Sequence, residues 1–305
     1  MIRMKWFLND YKKRRDFSEK IIETVLFLCA LSSVLITFGI IFILFKEALP
    51  FFKEVSLIEF FTGTEWTPLF SEPRFGILPL VCGTLMTTVI ALSIAVPCGL
   101  AAAVFLSEFS KAKTREIFKP ILELLAALPT VVYGYFALLF VTPLLQKIFP
   151  ELSSFNALSA GLVMGVMIIP YVCSLSEDAM RAVPQHLREA SLALGSSHFQ
   201  TAFKVVVPSA FSGIASAFVL AISRAVGETM IVAIAAGLQP RFSLNPTEST
   251  ATLTAYIVQV SMGDLPHGSL SFQTIYVAGL TLFGFTLFFN IIGQFIRYKL
   301  EKKVK

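Results

Sequence analysis

Charge is scarce in this chain: Asp, Glu, Lys and Arg make up 15% of its 305 residues, against about a quarter in an ordinary soluble domain. Water is therefore not the main solvent of the fold. There is also no HExxH, no GxSxG and no GxxxxGK[ST] in the sequence, which removes the signatures of a zinc peptidase, a serine hydrolase and a nucleotide-binding loop. The histidines, His186, His198 and His267, all lie outside the long apolar runs. His267, alone in a polar loop, is expected to be solvated. Cys29, Cys82, Cys98 and Cys173 fall inside the apolar runs and form no CxxC pair; there a free thiol behaves as a small hydrophobe. No catalytic residue, metal site or bound cofactor is expected, and no short-period repeat is visible.

What the chain has instead is apolar length. Hydrophobic residues make up 55% of it. A spanning helix needs about 20 apolar residues, because each residue rises about 1.5 Å and the hydrocarbon core is about 30 Å thick. Six runs satisfy this, at 21–45, 76–106, 120–145, 157–175, 209–237 and 272–296. The second and fifth are long enough to tilt or to contain a break, with Pro97, Gly213 and Gly227 as candidate break points. Pro129 and Pro170 are expected to kink their spans. Barrel strands would be about ten residues long and alternating, so the predicted fold is an all-α polytopic membrane helical bundle. The first run, about 25 residues, is longer than a signal-peptide core and is expected to stay as an anchor.

Lysine and arginine set the orientation, because loops on the cytoplasmic side keep the positive excess. The N-terminal tail carries Arg3, Lys5, Lys12, Lys13, Arg14, Arg15 and Lys20. Lys111, Lys113, Arg115 and Lys119 follow the second run, Arg181, Arg188 and Lys204 follow the fourth, and Arg297, Lys299, Lys302, Lys303 and Lys305 close the chain. That places 19 of 25 basic residues on one side, with Lys46, Lys53, Arg74, Lys147 and Arg241 opposite and Arg224 inside a run. Both termini are expected in the cytoplasm, in a multi-pass protein of the cell inner membrane. The domain reading is a basic tail at 1–20, a transmembrane domain at 21–297 and a tail at 298–305. The net charge of +5 is a topology signal, and no basic face for nucleic acid is present.

Three connections carry their own information. The first outer loop, from Lys46 to Arg74, contains an amphipathic stretch from Ser56 that reads as an interfacial helix, with Trp66 placed to anchor at the headgroups. The last outer loop, 238–271, is rich in Pro, Ser, Thr and Gly. The cytoplasmic loop at 177–208 shows Leu187, Ala190 and Leu194, then Phe199, Ala202 and Phe203, at helical spacings, which predicts two short helices broken at Gly195. A short amphipathic helix projecting from a membrane domain suits a partner's groove, and a hairpin lying on the membrane surface gives the same pattern.

Within that loop, Glu189-Ala190-Ser191, three residues, Gly195, nine residues and Val205-Val206-Val207-Pro208 together resemble the EAA loop of ABC-importer permeases. Ser191 departs from the second alanine of that motif, and Val205 and Val207 replace larger aliphatics. The resemblance implies a type I importer fold and a coupling helix, with Glu189, Ala190, Gly195 and Pro208 at the docking site of an ATPase subunit.

The fifth run holds Arg224 and Glu228, with about fifteen residues of the run before the arginine and about nine after the glutamate. A charge at the centre of a span costs roughly 2.5 to 3.5 kcal/mol, so such groups face a bundle interior, a cavity or each other. A spacing of four puts both on one face of a continuous helix. The guanidinium fork matches a tetrahedral oxyanion, and the glutamate can hold that fork and keep it from trapping the anion. On the residues alone a structural ion pair between helices explains the two charges equally well. Other polar positions in the runs are Thr84, Thr87 and Thr88, Tyr133 and Tyr135, and Glu123; hydroxyls in spans mostly join helices.

Arg224-Ala-x-Gly227-Glu228-Thr229 closely resembles the fifth span of phosphate-specific ABC permeases, and Trp66-x-Pro68 with Phe75-Gly76-x-Leu78-Pro79-Leu80-x-x-Gly83-Thr84-Leu85 looks like their C-type rather than A-type subunit. The resemblance implies a substrate pathway through Arg224, Glu228 and Thr229. It also implies a PstA-like second permease, two cytoplasmic ABC ATPases that use ATP and Mg, and an external phosphate-binding protein. A permease for another oxyanion such as sulfate, or an ATPase-independent anion channel or secondary transporter, is the alternative.

Overall fold

The computed structural model describes the backbone of residues 2–266 and 268–304, and side chains at 19–266, 268–295, 298 and 299. His267 and the tail side chains counted for orientation before Lys20 and at Arg297, Lys302, Lys303 and Lys305 lie outside the described residues. Among the described residues every regular element is helical, apart from one antiparallel bridge between Trp66 and Phe75.

Four helices are long and apolar enough to cross a membrane uninterrupted, and two bent helix pairs bring the number to as many as six. The uninterrupted ones are α1 (Ile2–Ala48), α4 (Leu78–Val104), α8 (Ala157–Arg181) and α14 (Leu270–Val304). The α1 stretch from Glu19 buries no residue of its most apolar window and turns Leu26, Phe27, Phe38 and Phe42 outward, as a helix solvated by lipid tails does. Pro97 does not interrupt α4, which continues past it into a π-helical turn, Phe105–Phe109.

The centre of the bundle is the α4–α8 pair. In lipid no hydrophobic force draws helices together, so close backbone approach at small residues does it. Gly161 and Gly165 of α8 form a small-xxx-small pair against α4. A Cβ on Gly161 would sit 2.7 Å from the Ile90 side chain, and one on Gly165 2.8 Å from the Ala91 carbonyl. Around this seam Ala91, Ala95, Met164, Met167, Ile168, Ala221 and Ala225 make the main core.

The third predicted run is bent sharply at Pro129. Its first half is α5 (Ala112–Ala127), and its second is α6 (Thr130–Phe136), a π-helical turn at Ala137–Val141 and α7 (Thr142–Gln146), with an 86° bend between the halves. Leu128 is forced out of the helical region by the following Pro129 and takes ψ 136°, and Pro129 itself takes ψ 133°. Pro170, in contrast, sits inside an unbroken α8.

A second correction concerns the outer loops. The first forms α2 (Phe51–Glu54) and the amphipathic α3 (Leu57–Thr62), with Phe60 buried and Ile58 exposed, but Trp66 is no headgroup anchor. It is 1% exposed and packs edge-on against Tyr256, 5.2 Å between ring centres. Tyr256 belongs to α13 (Leu253–Ser261), a helix inside what the sequence reads as a polar loop. Leu253, Tyr256 and Val260 recur at helical spacing and are all buried. Gly83 of α4 lets α13 approach, since a Cβ there would overlap the Ala251 carbonyl and come within 2.5 Å of Thr250 Oγ1.

Replacing Gly161 with leucine should destabilise the bundle by about 1–3 kcal/mol through overpacking, seen as a lower unfolding temperature in detergent. The control is Gly39→Leu, where a Cβ has nothing within 4 Å; equal unfolding temperatures for the two variants would remove the α4–α8 seam as the organising contact.

Candidate functional site

The fifth predicted run divides into three parts. After α9 (Gln185–Ala193), α10 (His198–Thr201) and a π-helical turn at Ala202–Val206, the short α11 (Val207–Ser209) meets α12 (Phe211–Val226) at a 69° bend. The bend falls at Ala210; Gly213 lies inside α12, where its missing Cβ admits Ala179. α12 stops at Gly227, and a further short helix follows with a π-helical turn at Val232–Ala236.

This interruption separates the two charges that the spacing joins. The helix ends at Val226, Glu228 turns its carboxyl onto the helix that follows, and no ion pair links it to Arg224 among the described residues. Glu228 is 6% exposed, and its Oε1 accepts from the Met230 and Ile231 amides at 3.1 and 3.3 Å. It is the cap of the outgoing helix, where orphan amides and the positive helix end stabilise a carboxylate. Its carbonyl accepts from Thr254 Oγ1 at 2.6 Å. The Leu253 amide in turn donates to Thr84 Oγ1 at 3.0 Å, and Thr252 caps α13 through the Ala255 amide. Thr229, half-buried, donates back to the Gly227 carbonyl at 3.3 Å.

Arg224 stays exposed at the end of α12. Its guanidinium lies over the Tyr171 ring of α8, 5.1 Å from Cζ to the ring centre, and has no hydrogen bond or ion pair among the described residues. Tyr171 also lines a cavity of 220 Å³ with Lys119, Glu123, Ser174 and Glu177. Sequence reasoning passed over Tyr171, since a tyrosine in an apolar run carries no signal of its own. It passed over Glu177 as well, a carboxylate 1% exposed at the basic end of α8, with Lys119, Arg181 and Arg115 at 3.5, 3.7 and 3.9 Å.

The coupling-loop residues lie apart from the charged site. Glu189, Ala190 and Gly195 are exposed on or just after α9, and Pro208 is exposed in α11 ahead of the 69° bend. Gly195 has φ +86° with nothing within 4 Å of a Cβ, so its requirement is backbone conformation. Ser191 Oγ lies 2.9 Å from Thr201 Oγ1, a buried hydrogen bond tying the two helices of the hairpin that an alanine could not make. Arg188, read only as a loop charge, fastens the hairpin to the bundle. It grips Glu108 with two bonds of 2.9 and 3.1 Å and donates to the Val183 and Met180 carbonyls.

Residues 95–305 match the model of the binding-protein-dependent transport system inner membrane component family. The chain belongs to that family. The permease is 33% identical over 287 residues to a probable ABC transporter permease protein, YqgH, of Bacillus subtilis, covering 93% of each chain. It is 30% identical over 266 residues to the phosphate transport system permease protein PstC of Xylella fastidiosa, covering 81% of this chain and 80% of that one. The Mycobacterium bovis PstC 1 shares 32% over 272 residues, at 78% and 80% coverage. In fold it resembles a bacterial alginate ABC transporter at a TM-score of 0.62 and 15% identity, over 88% of this chain and 92% of that one. It also resembles the inward-facing methionine transporter MetNI at 0.53 and 19%, over 74% and 94%. The architecture is that of type I ABC importer permeases, all-α and embedded in a membrane.

If Glu228 acts as a cap, Glu228→Gln should keep the short helix, because an amide oxygen still accepts. Glu228→Ala should cost about 1 kcal/mol and speed hydrogen exchange at the Met230 and Ile231 amides; equal exchange in both variants would contradict this role.

Proposed function

We propose that this permease subunit lines the path by which inorganic phosphate enters the cytoplasm in an ATP-driven importer. The observation that carries the reading is Arg224: a permanent cation within the fifth span, exposed, with its donors unengaged among the described residues. Such a group suits transient contact with a tetrahedral oxyanion, because no ion pair has to be broken for each passage. Phosphate in particular is supported by the relatives named as phosphate permeases. Glu228 and Thr229 shape the turn that presents the arginine.

In this reading both termini and the α9–α10 hairpin face the cytoplasm. The chain pairs with a PstA-like permease, receives phosphate from an external binding protein and docks two ATPase subunits that use ATP and Mg. The exposed Leu194 and Phe199 suit a cleft on one ATPase. ATP-driven closure would pull the hairpin, and the Arg188–Glu108 grip would pass that motion to the end of α4.

Labelled-phosphate uptake in cells lacking the protein should return with the intact chain and not with Arg224→Gln, while the assembled complex is retained and sulfate fails to compete. Equal rescue by the variant would remove Arg224 from the path, and competition by sulfate would assign a different anion. Gly195→Val should lower co-purification of the ATPase and transport together, by about tenfold if the strain at positive φ is about 1–2 kcal/mol; unchanged association would reject the docking role.

A further inference from the structure

Arginine residues inside membranes usually pair with carboxylates or backbone carbonyls. Arg224 does neither among the described residues. The group holding it is the face of Tyr171, within the roughly 6 Å over which a ring quadrupole attracts a cation. This support differs from a carboxylate in what it leaves free. A carboxylate takes N–H donors as hydrogen bonds; the Tyr171 ring, 5.1 Å from Cζ, holds the group without a hydrogen bond or ion pair to it among the described residues.

Tyr171 is itself fixed through its helix. It stands on α8, next to Val172, whose side chain is packed into the site of Gly99 on α4. Its hydroxyl reaches toward the Ala126 carbonyl at the end of α5, 3.5 Å away. The ring is half-buried and forms part of the cavity shared with Lys119 and Ser174.

We propose that Tyr171 is a positioning residue for anion transfer, its ring holding the Arg224 guanidinium in place while its N–H donors, in no hydrogen bond or ion pair among the described residues, are left to phosphate. This rests on the reading of Arg224 as the anion contact. The ring face performs the work, so the hydroxyl is dispensable and the electron density of the ring is not.

The test uses the reconstituted complex with both permeases, the ATPases and binding protein saturated with inorganic phosphate. Position 171 is replaced by phenylalanine and then by phenylalanines bearing one, two and three ring fluorines, which drain the quadrupole with little change of volume. Phosphate moved per ATP hydrolysed should be kept by Tyr171→Phe, fall stepwise with fluorination by about threefold or more, and fall about tenfold in Tyr171→Leu. ATP turnover should hold steady across the series. Constant phosphate per ATP across the fluorinated variants overturns the proposal, as does loss already at Tyr171→Phe, which would place the role in the hydroxyl. A parallel fall in ATP turnover and complex yield also overturns it, because that is the mark of packing alone. Failure of the underlying reading is distinguished by Arg224→Gln, which would then carry phosphate as well as the intact chain.

Discussion

A helix interrupted inside hydrocarbon sets free backbone amides and carbonyls that no water can satisfy, and each costs several kcal/mol unless the protein supplies a partner. This chain interrupts two of its spanning segments, and the polar side chains around the interruptions answer that constraint. At the Leu128–Pro129 break the Tyr133 hydroxyl donates to the Leu125 carbonyl at 2.8 Å, and Tyr171 reaches toward that of Ala126. At the Gly227 break the Glu228 carboxylate takes two amides of the outgoing helix, and Thr254 takes the Glu228 carbonyl. The hydroxyls are where they are because the backbone is broken there.

The same bonds turn local repairs into mechanical connections. Glu228 joins the break to α13, and Thr84 joins α13 to α4. On the basic end, Arg188 joins the α9–α10 hairpin to the turn that ends α4 and to the carbonyls of Met180 in α8 and Val183 just beyond it. Both ends of the molecule are thus fastened to the α4–α8 pair, whose glycine contacts leave little room for sliding. Displacement of the hairpin therefore has a stiff path to the fifth span, through packed helices and charge-assisted bonds.

The spanning character of the chain was legible because lipid imposes a long-wavelength pattern, about twenty apolar residues, that survives ignorance of every contact. Interruptions were legible where a residue has intrinsic backbone meaning, as at Gly195, Gly227 and Pro129. Gly213 and Pro97 misled for the same reason: one is small to admit Ala179, and the other is tolerated within α4. Trp66 carried an interfacial signal that the α13 helix overrode by burying it, and α13 went unseen because nine residues among Ser, Thr and Pro do not reach spanning length. Tyr171 and the Arg188–Glu108 grip depend on pairings 45 to 80 residues apart in sequence, and Glu177 on Lys119 and Arg115 as well as the local Arg181; for the distant pairings no local periodicity points.

The charged pair shows how a sound local rule can give a wrong partner. Four residues place two side chains together only while the helix between them continues, and here it stops between Arg224 and Glu228. The interruption then settles the electrostatics of the site. A glutamate on the same face would offset the arginine and leave a neutral pair with no reason to attract an anion. With Glu228 instead turned onto the amides of the next helix, no carboxylate lies within ion-pair distance of Arg224 among the described residues. A cation raises the local concentration of anions, and the Tyr171 ring, 5.1 Å from its Cζ, attracts the guanidinium without a hydrogen bond. The broken helix is in this sense the reason that Arg224 and Glu228 do not pair.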